Sequence, residues 1–360
     1  MIKPLTSLRF IFAFMIFLFH LFFWRDSEVK MLNWIYNNIL SVGYIGVSFF
    51  FILSGFILAY NYQEKILTNK ISKKDFYIAR FARIYPLHLL TFIIAIPLTF
   101  HVFTNNLKLW VIQAVTNLSL TQSLIPVQNI NFSFNEPSWS ISAESFFYFI
   151  FPFLILLTPK LTKKRLFIPF LIFVIAAIPL LVKLVPDRFC PPSLLNINPI
   201  VRCLDFIIGI MLYNFYNFIK KKEIKVNYNL LELFALVLFI FFFLFRHHIP
   251  NVYRYSFYYW IPMCYLILVI SFQRGFISKI LSNNILILLG EISFGFYLFH
   301  QLVLRYLQEF SSIKDDITLT VLAFLLSLLI SYLSYRWFET PMNKFIKKRS
   351  KKKKHILINE

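Results

Sequence analysis

Seven side chains stand where apolar sequence does not readily tolerate them. Arg9 and His20 lie in a run, Leu5 to Phe23, long enough to cross a bilayer. Glu144 and His300 sit inside two later runs of the same kind. Arg80, Arg83 and Glu339 flank such runs. A charge at the centre of a spanning helix costs at least ~2.5–3.5 kcal/mol on insertion scales, so each needs a reason. Arg9 and His20 are eleven positions apart. At ~100° per residue that returns to within about 20° of the same helix face. At 1.5 Å rise they are roughly 16 Å apart along the axis. One helix face therefore carries a fixed cation, suited to an anion, and an imidazole that can exchange a proton near neutral pH. The competing reading is an arginine snorkelling to the headgroups and a histidine bonded to a neighbouring helix. Arg80 and Arg83 share a helix face. They serve either as a topological anchor or as a phosphate clamp, since guanidinium binds phosphate bidentately. Glu144 is a functional carboxylate or a protonated, hydrogen-bonded structural one.

The elements that must hold these groups follow from composition. Of 360 residues, 59% are hydrophobic and only 15% charged, and the mean hydropathy is +0.68. Several apolar runs reach ~20 residues, so the chain reads as an all-α polytopic membrane protein. The net charge of +21 would suggest nucleic acid in a soluble protein. Here the basic residues fall mostly in short loops between apolar runs, which is a topology signal. Spans are expected near 5–23, 43–62, 84–103, 138–158, 166–185, 200–219, 228–245, 257–272, 285–308 and 317–338, about ten in all. The segment 108–126 is less apolar and is left out of the count. Alternate connections then hold 24 Lys and Arg against 7 on the opposite side. Counting 108–126 as a crossing would place basic loops on both sides. The positive-inside rule thus predicts both termini cytoplasmic and 108–126 external or re-entrant.

Three of the seven glycines, Gly43, Gly46 and Gly55, fall in the second span, where small residues let helices approach closely in lipid. Arg202 and Asp205 are three apart and are expected to pair. Cys190, Cys203 and Cys264 lack metal or redox spacing, and the adjacent His247 and His248 read as a solvated loop, so no metal is expected. The first run has no small-residue cleavage site and is kept as a span. Residues 1–341 are expected to form the integral-membrane domain. Residues 342–360 should be a polybasic cytoplasmic tail suited to anionic lipids. On this topology Arg9, Arg80, Arg83 and Glu339 lie near the cytoplasmic face. His20, Glu144 and His300 group in the outer halves of their spans.

These residues resemble the membrane-bound acyltransferase 3 family, over nearly the whole chain. The resemblance rests on Arg9, ten residues and His20. Gly46-Val-Ser-Phe-Phe-Phe-Ile-Leu-Ser-Gly55-Phe and Arg80-Phe-Ala-Arg83-Ile-Tyr85-Pro86 add to it. So do Pro137-Ser-Trp139-Ser140-Ile-Ser-Ala-Glu144 with Phe147-Tyr148, then Ser293-Phe-Gly-Phe-Tyr297-Leu-Phe-His300, and Glu339-Thr-Pro341. Each motif alone is weak; six in the family's order are strong. The chain departs from the pattern at Ser145, where a second acidic residue is common, and at Leu302, where proline is.

The resemblance implies transfer of an acyl group, most often acetyl, from cytoplasmic acetyl-CoA or another short acyl-CoA. The acceptor is a hydroxyl of an envelope polysaccharide, such as a lipopolysaccharide O-antigen, or of a lipid-linked sugar, on the outer side of a bacterial inner membrane. It implies His20 as general base, Glu144 orienting it or binding the sugar, and His300 as a donor to the thioester oxygen or as packing. Arg9, Arg80 and Arg83 would bind CoA phosphates, and Glu339 would position those arginines or the pantetheine arm. An acyl-His20 intermediate is a variant. The rival from another class is a transporter or flippase of polyprenyl-linked sugars. It predicts flux without acyl-CoA dependence.

Overall fold

The computed structural model describes residues 2–161, 172–173, 176–177, 179–184, 195–222 and 225–359, with the side chains of 159–161 and 351–359 outside the description. Among the described residues the chain is helical, with no strand. The long helices are α1 Lys3–Phe19, α2 Ile45–Leu67, α3 Lys73–Ala95 and α4 Leu107–Leu118. They continue with α5 Ser138–Leu161, α6 Pro199–Lys220, α7 Tyr228–Phe245 and α8 Trp260–Ser271. The last three are α9 Asn284–Phe310, α10 Asp316–Ser334 and α11 Thr340–Asn359. Seven helical stretches among the described residues are long and apolar enough to cross a membrane: Lys30–Leu67, Lys73–Ala95, Ser138–Thr158, Leu195–Lys220, Tyr228–His248, Asn284–Phe310 and Asp316–Ser350. The chain is a multi-pass membrane protein. Half of the expected span at 166–185 lies outside the described residues.

Helix α4 has 12 residues, about 18 Å, against a hydrocarbon core of ~30 Å. It is stitched inward by polar bonds. Asn117 Nδ2 donates to Ser133 Oγ at 2.8 Å, Gln113 Nε2 to Asn129 O at 2.7 Å, and His88 of α3 meets Asn117 O at 2.9 Å.

Close helix approach sets the frame. A Cβ on Gly55 would lie 2.0 Å from Phe206 O, and one on Gly209 2.0 Å from Ile52 O, so α2 and α6 cross backbone to backbone. Gly43 and Gly46 face α1 instead, where added Cβ atoms would meet Met15 O and Phe12 O. Gly290 of α9 rests on Thr6 O of α1. Higher up the same pair of helices, His300 meets His20, so α1 and α9 run in the same direction, side by side. In lipid such contacts replace the hydrophobic drive that water would supply.

Three boundaries differ from the sequence reading. Helix α3 begins at Lys73, not near 84, because Ser72 Oγ accepts from Asp75 N–H at 3.1 Å and caps it. Arg80 and Arg83 therefore sit inside a helix rather than in a connection. The first span ends at Phe19, with His20 as its C-cap. The last does not stop at Glu339. It passes through a π-turn, Tyr335–Glu339, into α11. Pro341 has no N–H to donate to a carbonyl one turn back, and a wider local turn absorbs that loss.

Candidate active site

Helices α1, α2, α3, α5 and α9 surround a cavity of ≈ 890 Å³, its mouth included. Arg9, Arg80 and Arg83 line it with Ser54, Glu144 and Tyr148, and its far part is lined by Ser140 and Tyr297. Arg80 donates to Tyr62 OH at 2.9 Å, and its guanidinium lies 5.7 Å from the Tyr148 ring centroid. Arg80 Nε is buried without a hydrogen-bond partner. Arg83 Nη1 stands 3.5 Å from Glu339 Oε2, and both Glu339 oxygens are buried without a hydrogen bond. The π-turn places that carboxylate against Gly295, where an added Cβ would come within 3.0 Å of Oε1. Arg9 feels the charges of Arg83, Glu144 and Glu339. Three cations face two carboxylates here, so the cavity presents net positive charge to an anion.

Glu144 belongs to this cavity. Its Oε1 accepts from Tyr148 OH at 2.5 Å and from Ser54 Oγ at 3.0 Å. The sequence reading grouped it with the two histidines. The structure separates them, because the face of α5 that carries Glu144 and Tyr148 looks toward α2 and α3.

His20 and His300 form their own pair. His300 Nε2 lies 3.2 Å from His20 Nδ1. His20 Nδ1 also lies 2.8 Å from Ile16 O, and His300 Nδ1 3.2 Å from Phe296 O. A carbonyl only accepts, so each ring carries its proton on Nδ1. His300 Nε2 is then an acceptor for His20 Nδ1–H, and His20 Nε2 is left unprotonated. That is the tautomer a general base requires. His300 is fully buried among Phe17, Phe296 and Tyr297, whereas His20 is half-buried.

The two parts are joined through the Trp139 motif. Tyr297 OH donates to Pro137 O at 3.1 Å and shares a 2.7 Å bond with Ser140 Oγ. Both Ser140 and Tyr297 line the cavity, and Tyr297 packs on His300 with ring centroids 5.9 Å apart. Through Tyr297 the lining of the cavity touches the histidine pair.

Sequence reasoning missed Ser54, Tyr62 and Glu136. Tyr148 was legible, since it lies four residues after Glu144 on one helix. Glu136 carries no such signal; only the fold brings it to Gln301, whose Nε2 donates to Glu136 Oε2. Arg202 and Asp205 do pair, at 3.1 Å and fully buried, and neither lines the cavity. His247 and His248 are exposed. Among the described residues no cluster of three His, Cys, Asp or Glu side chains could hold a metal ion.

A multi-pass bundle with a cationic cavity close to a paired imidazole has the parts of a membrane enzyme with an anionic ligand. Comparison makes the class specific. The family model described as an acyltransferase domain matches residues 3–336, and the chain belongs to that family of membrane acyltransferases. It is 32% identical to the acyltransferase MdmB of Streptomyces mycarofaciens over 85% of this chain and 79% of the relative. It is 27% identical to the putative O-acetyltransferase SACOL0978 of Staphylococcus aureus, over 85% of this chain and 53% of the relative. Identity to the peptidoglycan O-acetyltransferase OatA of Listeria monocytogenes is 25%, over 84% and 51%. The chain spans about half the length of these last two proteins. No solved structure matches.

Proposed function

We propose that this acyltransferase moves an acyl group, acetyl foremost, from cytoplasmic acyl-CoA to a hydroxyl of an envelope polysaccharide or lipid-linked sugar on the far side of a bacterial inner membrane. The observation that carries this reading is a cavity lined by three arginines and by Tyr297, whose ring packs on the His300 of the His20–His300 pair. The names of the O-acetyltransferase relatives support an oxygen acceptor. Membership in an acyltransferase family argues against the transporter reading.

In this mechanism Arg9, Arg80 and Arg83 hold the phosphates of CoA. Glu339 orients Arg83. Glu144, fixed by Ser54 and Tyr148, sets the angle of the pantetheine arm or the acceptor. The acceptor oxygen attacks the thioester carbonyl as His20 Nε2 takes its proton. The C–O bond forms and the C–S bond breaks. The departing sulfur then takes that proton from His20, giving ester and free CoA thiol. Ile16 O fixes the His20 tautomer, and His300 accepts from the same Nδ1–H and orients the ring.

The proposed topology is ten spans with both termini cytoplasmic: the seven long stretches, α1, the short helix Phe257–Ser271 and a segment at 166–185. Helix α4 stays external or re-entrant. Residues 1–341 act as one integral-membrane domain, and the polybasic composition of 342–360 suits anionic inner-leaflet lipid.

The test is acetyl-CoA binding by the purified full chain, with Arg80→Ala/Arg83→Ala as comparison. Binding in the roughly micromolar-to-millimolar range of enzyme substrates, lost in the double variant, supports the reading. A folded sample that binds no short acyl-CoA sinks it.

A further inference from the structure

The histidine pair poses an electrostatic problem. When His20 takes a proton it becomes a cation away from the arginine cavity's two carboxylates. In a serine-hydrolase triad the group on Nδ1 is a carboxylate, which stabilises the imidazolium. Here that position is held by His300, a neutral ring whose own Nδ1 is committed to Phe296 O. His300 can orient His20 but supplies no negative charge. A charge partner must come from elsewhere, since even a half-buried cation is costly without a counter-charge.

One side chain answers this. The loop before α5 is laid along α9 around His300. Asn135 Nδ2 donates to Leu298 O at 2.9 Å, Tyr297 OH reaches Pro137 O, and Gln301 Nε2 donates to Glu136 Oε2. Gln301 follows His300 directly and is buried, with its Oε1 lacking a hydrogen-bond partner. Its one polar bond therefore fixes the Glu136 carboxylate. Asn135, Glu136 and Pro137 thus bond Leu298, Gln301 and Tyr297, residues on either side of His300, so the Glu136 carboxylate stands on the loop that flanks the histidine pair.

We propose that Glu136, held in place by Gln301, is the counter-charge for protonated His20 and so a positioning residue for acyl transfer. This rests on the function proposed above. Glu136 touches neither donor nor acceptor in this assignment. It acts through His20, by lowering the energy of the state in which that ring is charged. The structural alternative is a simple tie between loop and helix. The two differ in what an amide at position 136 does. Glu136→Gln keeps an acceptor for Gln301 Nε2 and removes only the charge.

The experiment measures thiol release from acetyl-CoA by the full chain in lipid nanodiscs, with water as acceptor, alongside acetyl-CoA binding. Glu136→Gln is expected to lower kcat roughly 10–100-fold, within the range of acid–base effects. Its KM and its acetyl-CoA affinity should stay within about twofold, because the donor cavity is untouched. Glu136→Asp, which restores the charge, should recover most of kcat. A Glu136→Gln protein with wild-type kcat, or one that loses affinity while kcat holds, overturns the assignment. So does a Glu136→Asp protein as slow as Glu136→Gln. Failure of the wild-type chain to bind or cleave acetyl-CoA would instead remove the function on which this rests.

Discussion

Removing His300 should reveal how much of catalysis depends on orienting His20. His300→Ala deletes the acceptor 3.2 Å from His20 Nδ1. It leaves Ile16 O at 2.8 Å from the same atom, so His20 keeps its tautomer. What is lost is one hydrogen bond that becomes charge-assisted once His20 is protonated. A hydrogen bond between neutral groups is worth about 0.5–1.5 kcal/mol net, and one to a charged group about 1.5–3 kcal/mol. The difference, about 1–1.5 kcal/mol, enters only when the charge develops, so kcat should fall roughly 5–13-fold. His20→Ala removes the base itself and should cost about 10²–10⁴-fold. The two effects share one interaction and should not add. The double variant is expected to be no slower than His20→Ala alone, within about twofold. The assay is thiol release from acetyl-CoA by purified protein, with matched folding checked by thermal unfolding. If the single losses multiply in the double variant, His300 acts independently of His20 and the relay drawn from these distances is wrong. If His300→Ala runs at the wild-type rate, the pairing is packing only.

Three further outcomes are expected. Gly55→Val should destabilise the bundle by about 1–3 kcal/mol, as overpacking does, because its Cβ would sit 2.0 Å from Phe206 O; thermal unfolding in detergent reads this, and an unchanged midpoint would mean α2 and α6 do not cross as described. Asp205→Asn leaves Arg202 buried beside a neutral partner and should cost about 3–5 kcal/mol, with kcat per folded molecule retained. A normal melting point with lost activity would move that pair into the catalytic machinery. Asp315 caps α10 by accepting from Thr318, which holds its carboxyl below the ordinary value of 3.8. A depressed folded value means stabilisation that is complete above 3.8 and fades as pH falls through the folded value. The melting difference between wild type and Asp315→Ala should therefore be present at neutral pH and shrink below about pH 3.8. A difference that persists unchanged into acid would refute the capping charge.

What the amino-acid order determined by itself is local or periodic. Apolar runs near the length of a bilayer identify the membrane helices, because backbone polar groups in lipid must bond within a segment. The eleven-residue spacing of Arg9 and His20 puts both on one face, as helical geometry requires. The three-residue spacing of Arg202 and Asp205 gave their pairing, and the order of six motifs gave the family. Helix boundaries were legible only in part. The Ser72 cap that carries Arg80 and Arg83 into α3, and the π-turn forced before Pro341, are local signals that apolarity alone does not register.

Tertiary structure decided which distant residues meet. His20 and His300 are 280 positions apart, and nothing in either neighbourhood names the other as partner. Their meeting follows from Gly290 seating α9 on α1 in the same direction. Glu144 and His300 looked alike in sequence, each a lone polar group in an apolar helix. The rotation of α5 sent Glu144, with Tyr148 beside it on the same helix, to Ser54 and the arginines, and left His300 with His20. Glu136 lay in a loop with no periodicity to read, and only the folding of that loop along α9 brings it to Gln301. Spacing along a helix is set by the peptide backbone, whereas contact between helices is set by where small residues permit approach and by how each helix turns as it packs.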